Sequence, residues 1–198
     1  MRTVPTRAER QAQTREELIG AAERLFTHQG FHATSVADVA AEAGYTTGAV
    51  YSNFDSKEDV FFAVFEWRAE AAVRHAERTF AELEPVAALE RLSVDTAARR
   101  GRDDGWLAVF LEFWAHVVRN PELRGRFAEI HARVMQPVAD VVDELTGGKE
   151  GAAVTAAMNV MQIGLALERL TRPGVVDAEL AARVVRVVLA DLGARRDA

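Results

Sequence analysis

The chain predicts an all-helical protein, on three observations. Apolar residues return at intervals of three and four along nearly every segment. The alternation expected of half-buried strands is missing. Capping residues and helix breakers also punctuate the sequence at helix-length intervals.

Taken in order, the punctuation predicts nine helices. Thr14 with Glu17 reads as a capping box opening a helix with Leu18, Ala22, Leu25 and Phe26 on its apolar face, ended by Gly30. Residues 1–12 before it read as a mobile tail, as do 194–198 at the other end. Ser35 with Asp38 opens a short helix that stops at Gly44, and Thr46 caps a second one to about Asn53. Ser56 with Asp59 starts a long helix from Lys57 to about Leu83. Beyond Pro85 the pattern continues to about Arg102, where "GRDDG" interrupts it. The aromatic run "WLAVFLEFWAHVVRN" is the sixth helix. Asn120-Pro121 places a cap before a first-turn proline and opens a helix to "LTGGKEG", with Pro137 inside it and a kink expected nearby. A helix over about 151–171 ends at "RPG", and Asp177 caps the last, to about Leu192.

With 198 residues, 49% hydrophobic and 27% charged, the chain has the composition of a soluble globular protein with a real core. It has no cysteine, which removes disulfides, thiolate metal sites and cysteine nucleophiles. No apolar run approaches the roughly 18 residues of a membrane span, and the start lacks the apolar stretch of a secretory signal. A cytoplasmic protein with no membrane partner is expected. Net charge is −6, which speaks mildly against nucleic acid. Residues 1–15 nevertheless carry four arginines against one glutamate. Any phosphate-binding face must be local. Enzyme and cofactor signatures are missing: there is no G-x-S-x-G, no G-x-x-x-x-G-K-[ST] and no G-x-G-x-x-G. His28 and His32 are separated by helix-ending Gly30, so no metal site or cofactor is expected.

Two helices of about two turns cannot persist alone. In "VADVAAEAGYTTGAV", Ala40 is small where they would touch, Gly44 permits a tight turn, and Val50 points inward. That spacing is what a helix-turn-helix requires. The second helix of such a unit enters the major groove with its first residues at the base edges. Thr46, Thr47, Gly48, Ala49 and Ser52 are short enough to let its axis lie near the groove floor. Their hydroxyls, with the Asn53 amide, suit bases or phosphates. Tyr51 can offer its hydroxyl to a phosphate, and Lys57 adds a charge beside the free N–H groups of the next helix. Small residues also serve plain helix packing, so the spacing by itself leaves both readings open.

The stretch "TSVADVAAEAGYTTGAVYSNFDSKEDVFFAVF" resembles the DNA-binding module of the TetR/AcrR family of bacterial transcriptional repressors. It matches the pattern T-x4-[IV]-A-x3-G-x5-[LV]-Y-x2-F-x2-K-x2-[LV] at Thr34, Val39, Ala40, Gly44, Val50, Tyr51, Phe54, Lys57 and Val60. The resemblance implies a DNA-reading domain over 1–55 and a ligand-sensing, dimerising domain over 56–198. It implies a homodimer on a palindromic double-stranded operator, released by a small apolar or amphipathic effector. Thr34, Ser35, Thr46, Thr47, Gly48, Ala49, Tyr51, Ser52, Asn53 and Lys57 form the expected DNA-binding set. Ala37 departs from the family, where a basic contact can stand, which shifts weight to Arg2, Arg7 and Arg10 as an arm. A plain tail is the alternative.

The C-terminal part must be read from its own residues. Helix 177–192 has Leu180, Val184 and Val187 on one side and Ala181, Val185, Val188 and Leu192 on another. A helix apolar on two sides is buried on two sides. With the small-residue helix 151–170, it is expected to form the homodimer interface. Phe65, Trp67, Phe110, Phe113, Trp114, Met135, Met158, Met161 and Gln162 are the candidate effector lining, mostly apolar with few polar groups. An aromatic stripe at helical spacing also makes ordinary core. Glu112 and His116, one turn apart amid aromatics, can orient a polar or cationic effector or pair at the surface.

Overall fold

The computed structural model describes residues 6–100, 104–148, 151–172, 174–177, 179–180 and 183–188. Eight helices have continuous bounds: α1 (Arg7–Gln29), α2 (Val36–Ala43), α3 (Thr47–Tyr51), α4 (Lys57–Glu82), α5 (Pro85–Arg100), α6 (Asp104–Arg119), α7 (Pro121–Thr146) and α8 (Gly151–Thr171). Residues 179–180 and 183–188 are also helical, where the ninth was expected. No strand occurs among the described residues.

The first helix begins earlier than the Thr14 box predicts. Its cap is Thr6, whose hydroxyl accepts from Glu9 N while Glu9 reaches back to Thr6 N. The intervening "RAERQAQ" is made of strong helix formers. With two boxes in register the outer one wins, and 7–12 are helix rather than tail. Arg7 and Arg10 therefore sit on α1 instead of an extended arm, and Arg2 lies outside the described residues. The same holds for residues 194–198. The next boundaries agree with the punctuation. Ser35 and Asp38 form a reciprocal box, and Gly44 closes α2 in the left-handed region at φ 75°. Thr46 Oγ1 caps Ala49 N, and Ser56 Oγ accepts from Asp59 N ahead of α4. α7 continues through Pro137.

By contact the chain forms two compact units, one of residues 1–68 with 105–124 and one of 69–104 with 125–198. In the first, α2 packs across α1 and α3 against α2. Val39, Ala40 and Val50 are buried as the helix-turn-helix spacing requires. Its centre is a ring cluster. Phe113 stacks on Phe61 at 3.9 Å and meets Phe31 and Phe62 edge-on at 5.0 and 5.1 Å. In the second unit Leu89, Val142, Met158 and Val185 form the core, with Phe80, Val138, Val141, Leu145 and Val154 packed around it.

Candidate nucleic-acid interface and sensing core

The turn between α2 and α3 sets the candidate reading surface. Val50 is fully buried and anchors α3, so the residues a half-turn away face outward. Thr46, Thr47 and Gly48 are exposed, Ala49 is half-buried, and Tyr51 is 56% exposed. No long side chain stands among the first four, which leaves the N-terminal end of α3 low and flat. Thr47 and Tyr51 hydroxyls have no protein partner among the described residues. Ser52 Oγ and Asn53 Nδ2 both donate to Ala49 O, and Ser35 Oγ donates to Asp38, so these groups now close helix ends. Thr34 is a correction. It is 1% exposed with its hydroxyl donated to Gly30 O, so it braces the turn from inside and presents nothing to a duplex.

Lys57 is similarly engaged. Its Nζ donates to Phe31 O at 3.0 Å and lies 4.4 Å from the centre of the Phe31 ring. The α1–α2 turn is thus held from both sides, because Glu112 on α6 accepts from Phe31 N at 2.8 Å. Gly30 makes that approach possible. Its φ of 85° and ψ of 167° belong to a region almost restricted to glycine, and a Cβ there would meet Glu112 Oε1 at 2.7 Å. His116, one turn on, pairs with Glu58 at 3.3 Å. Glu112 and His116 therefore brace the unit's own backbone and α4.

The nine candidate lining residues fall into two groups. Phe113 is fully buried in the ring cluster, and Phe65 and Phe110 pair at 5.6 Å beside it. Trp114 contacts Phe110 at 5.3 Å, while Trp67 is 52% exposed. In the other unit Met135 and Met161 are half-buried, Met158 belongs to the aliphatic core, and Gln162 is buried with Nε2 donated to Ser93 Oγ. Val185 points into that core while Val187 is 64% exposed. Val160 and Leu167 of α8 are exposed as well. Ala181 and Leu192, expected on the same side of the last helix as Val185, lie outside the described residues.

Residues 18–64 match the family described as bacterial regulatory proteins, tetR family, and residues 85–194 match the C-terminal part of the BetI-type transcriptional repressors. The chain belongs to the TetR family. This is a family of DNA-binding regulators, not of enzymes. The HTH-type transcriptional regulator CymR of Pseudomonas putida is 31% identical over 119 residues, which is 60% of this chain. The chain spans only 58% of the length of CymR in that match. A Rhodococcus sp. protein assigned to the TetR-family transcriptional regulators shares the fold with a TM-score of 0.75 at 18% identity, over 91% of this chain and 98% of its own. The fatty acid degradation regulator FadR of Bacillus halodurans gives 0.69 at 18%, over 91% and 95%. At such identities these structures speak for the fold alone.

Two features of this TetR-family head escape sequence reasoning. Tyr45, in the turn, donates to Glu17 Oε2 at 2.5 Å and accepts from Thr14 at 3.5 Å, using the residues that had looked like a helix start. Hydrogen bonds from Tyr45 and then Gln13 hold the Glu17 carboxyl below its ordinary range. Glu112 lies 81 residues from Phe31 in the chain. Its only local sign is an acid set among the aromatics of α6.

Proposed function

We propose that this protein is a dimeric, ligand-responsive repressor that leaves a palindromic operator when a small apolar or amphipathic molecule binds. Residues 1–55 would read the duplex, and residues 56–198 would sense the effector and dimerise through the last two helices. The observation that carries the reading is the low, exposed N-terminal end of α3, with Thr46, Thr47, Gly48 and Ala49 seated on buried Val50 and flanked by Tyr51. A helix presented this way lets hydroxyls and methyls reach base edges while a phenol meets a phosphate. Thr34 is left out of the contact set. Ser35, Ser52 and Asn53 reach the backbone of DNA only by sharing bonds they already donate, whereas the Thr46 hydroxyl accepts from Ala49 N and keeps its hydrogen for a duplex.

Two such heads must stand about one duplex turn apart, roughly 34–36 Å, so an effector acts by favouring another spacing. The apolar side chains exposed on α8 and on the final helical residues support a second copy as the covering partner. No described helix is long and apolar enough to cross a membrane, which is compatible with work in the cytoplasm. A gel shift against the duplex upstream of the chain's own coding sequence tests the reading. Tyr51→Phe should weaken binding to all duplexes alike, whereas Thr47→Ala should change which sequence is preferred. If wild type ignores every duplex in dilute buffer, or neither variant alters binding, the interface is misassigned.

A further inference from the structure

Among the described residues of the unit of 69–104 and 125–198, the buried polar side chains are few and all neutral: Thr79, Ser93, Thr155 and Gln162. Thr79 donates to His75 O. Ser93 and Gln162 bond each other across α5 and α8, one turn beyond core residues Leu89 and Met158. The carboxamide has two polar ends and that bond uses one. The other, Oε1, is buried with no partner, and Gln162 is only 7% exposed. Leaving such an atom unmet forfeits its hydration with nothing in return. Turning the amide over would exchange which end is orphaned without removing the orphan. Thr155 Oγ1 also lacks a partner. It sits one turn from the seam where a Cβ on Gly151 would meet Ala139 O at 2.1 Å, so it has the least room.

We propose that Gln162, held by Ser93, is the polar anchor of the effector site, and that the effector is an uncharged molecule carrying a hydroxyl on an apolar body. This deepens the regulator reading and rests on it. A hydroxyl both donates and accepts, so it satisfies the free end of the amide in either orientation. An ion does not fit. Among the described residues no Asp, Glu, Lys or Arg is fully buried, and an ion taken out of water without a countercharge is far more costly than a neutral dipole. Arg169, two turns along α8, is half-exposed, keeps one guanidinium nitrogen buried and already interacts within the protein, so the carboxylate probes below test whether it serves as a countercharge.

Calorimetric titration of the full chain with two matched sets tests this: decanol, decanoate and decyltrimethylammonium, then phenylbutanol, phenylbutanoate and phenylbutyltrimethylammonium. In at least one set the alcohol should bind at least about tenfold more tightly than either ion. Gln162→Leu should then weaken the alcohol about three- to tenfold. Ser93→Ala, which frees the amide to turn away, gives a second reading if the leucine variant does not fold. The proposal is overturned if an ion binds as tightly as the alcohol in both sets, or if no alcohol binds. It is also overturned if a folded Gln162→Leu keeps wild-type affinity, since the amide is then met by a buried water. Gel shifts with and without each probe separate the two levels. A protein that binds an alcohol but no duplex keeps this site and loses the regulator reading, and one released from its duplex only by an ion does the reverse.

Discussion

The unit of residues 1–68 and 105–124 has a cluster of stacked rings at the centre of its core, whereas the core cluster of the unit of 69–104 and 125–198 is aliphatic, with a few neutral polar side chains beside it. The first is tied by directional bonds: Glu112 to Phe31 N, Lys57 to Phe31 O, Thr34 to Gly30 O, His116 to Glu58. Its buried orphan, Thr27 Oγ1, lies where Gly105 presses so closely that a Cβ would meet Thr27 O at 2.4 Å. The second leaves Gln162 Oε1 unmet in its core and shows Leu83, Val86, Val160, Leu167, Val175 and Val187 to the outside. The first unit is the more finished of the two, although Tyr51, Trp67 and Val118 are exposed on it; the second has more exposed aliphatic side chains and an unmet amide oxygen in its core.

The largest expected effect is in the finished unit. Phe113→Ala removes the ring that Phe31, Phe61 and Phe62 all touch, and should cost about 3–5 kcal/mol in urea unfolding. A loss below about 1 kcal/mol would mean that the ring cluster is not what makes this unit rigid. On the unfinished side the expected change is in assembly rather than folding. Val160→Arg combined with Leu167→Arg puts charge on exposed positions of α8. If those positions meet a second copy, light scattering should show the mass halved, and the unfolding midpoint should no longer depend on protein concentration. An unchanged mass would place the dimer contact elsewhere.

The same contrast explains what was legible beforehand. Helix starts and stops depend on neighbours three or four residues away, so Ser35–Asp38, Thr46 and Ser56–Asp59 could be read directly. Val39, Ala40, Gly44 and Val50 declare the helix-turn-helix for the same reason. The α1 start was misplaced because Thr14 and Glu17 also satisfy the local rule, and only their contact with Tyr45 reveals their use. Side-chain destinations were harder. Lys57 and Glu112 look like exposed polar groups, yet their partners are backbone atoms brought close by folding, and Thr34 turns its hydroxyl back onto Gly30 O. Aromatic residues of α6 look equally apt for a lining or a core, and Phe113 is placed in the core by Phe31 and Phe61, not by its own spacing.

Gly30 tests the bracing of the head more gently. Gly30→Ala must adopt a backbone region that glycine alone tolerates and must displace Glu112 from the turn. A loss of about 1–3 kcal/mol is expected, with faster amide exchange at Phe31 because its acceptor moves. Unaltered exchange there would show that Glu112 does not hold the turn.

The smallest expected effect lies in the second unit and depends on pH. Asp95 on α5 loses hydration on burial, which raises its pKa, but hydrogen bonds from Arg91 and His75 together outweigh this and hold it below the ordinary aspartate range. The distances are 3.0 Å to Arg91 Nε and 3.0 Å to His75 Nε2. A carboxyl depressed in the folded state favours folding once it is ionised in both states. That contribution is therefore fully present above the unfolded value of about 3.9 and disappears as pH falls through the folded value. Asp95→Asn keeps the shape and removes the titration. Its unfolding midpoint should lie below wild type at neutral pH, and the gap should shrink as the solution is taken below about pH 4. A gap that stays constant through acidification would mean that the aspartate acts there by packing alone, leaving the link between α4 and α5 without an ionic part.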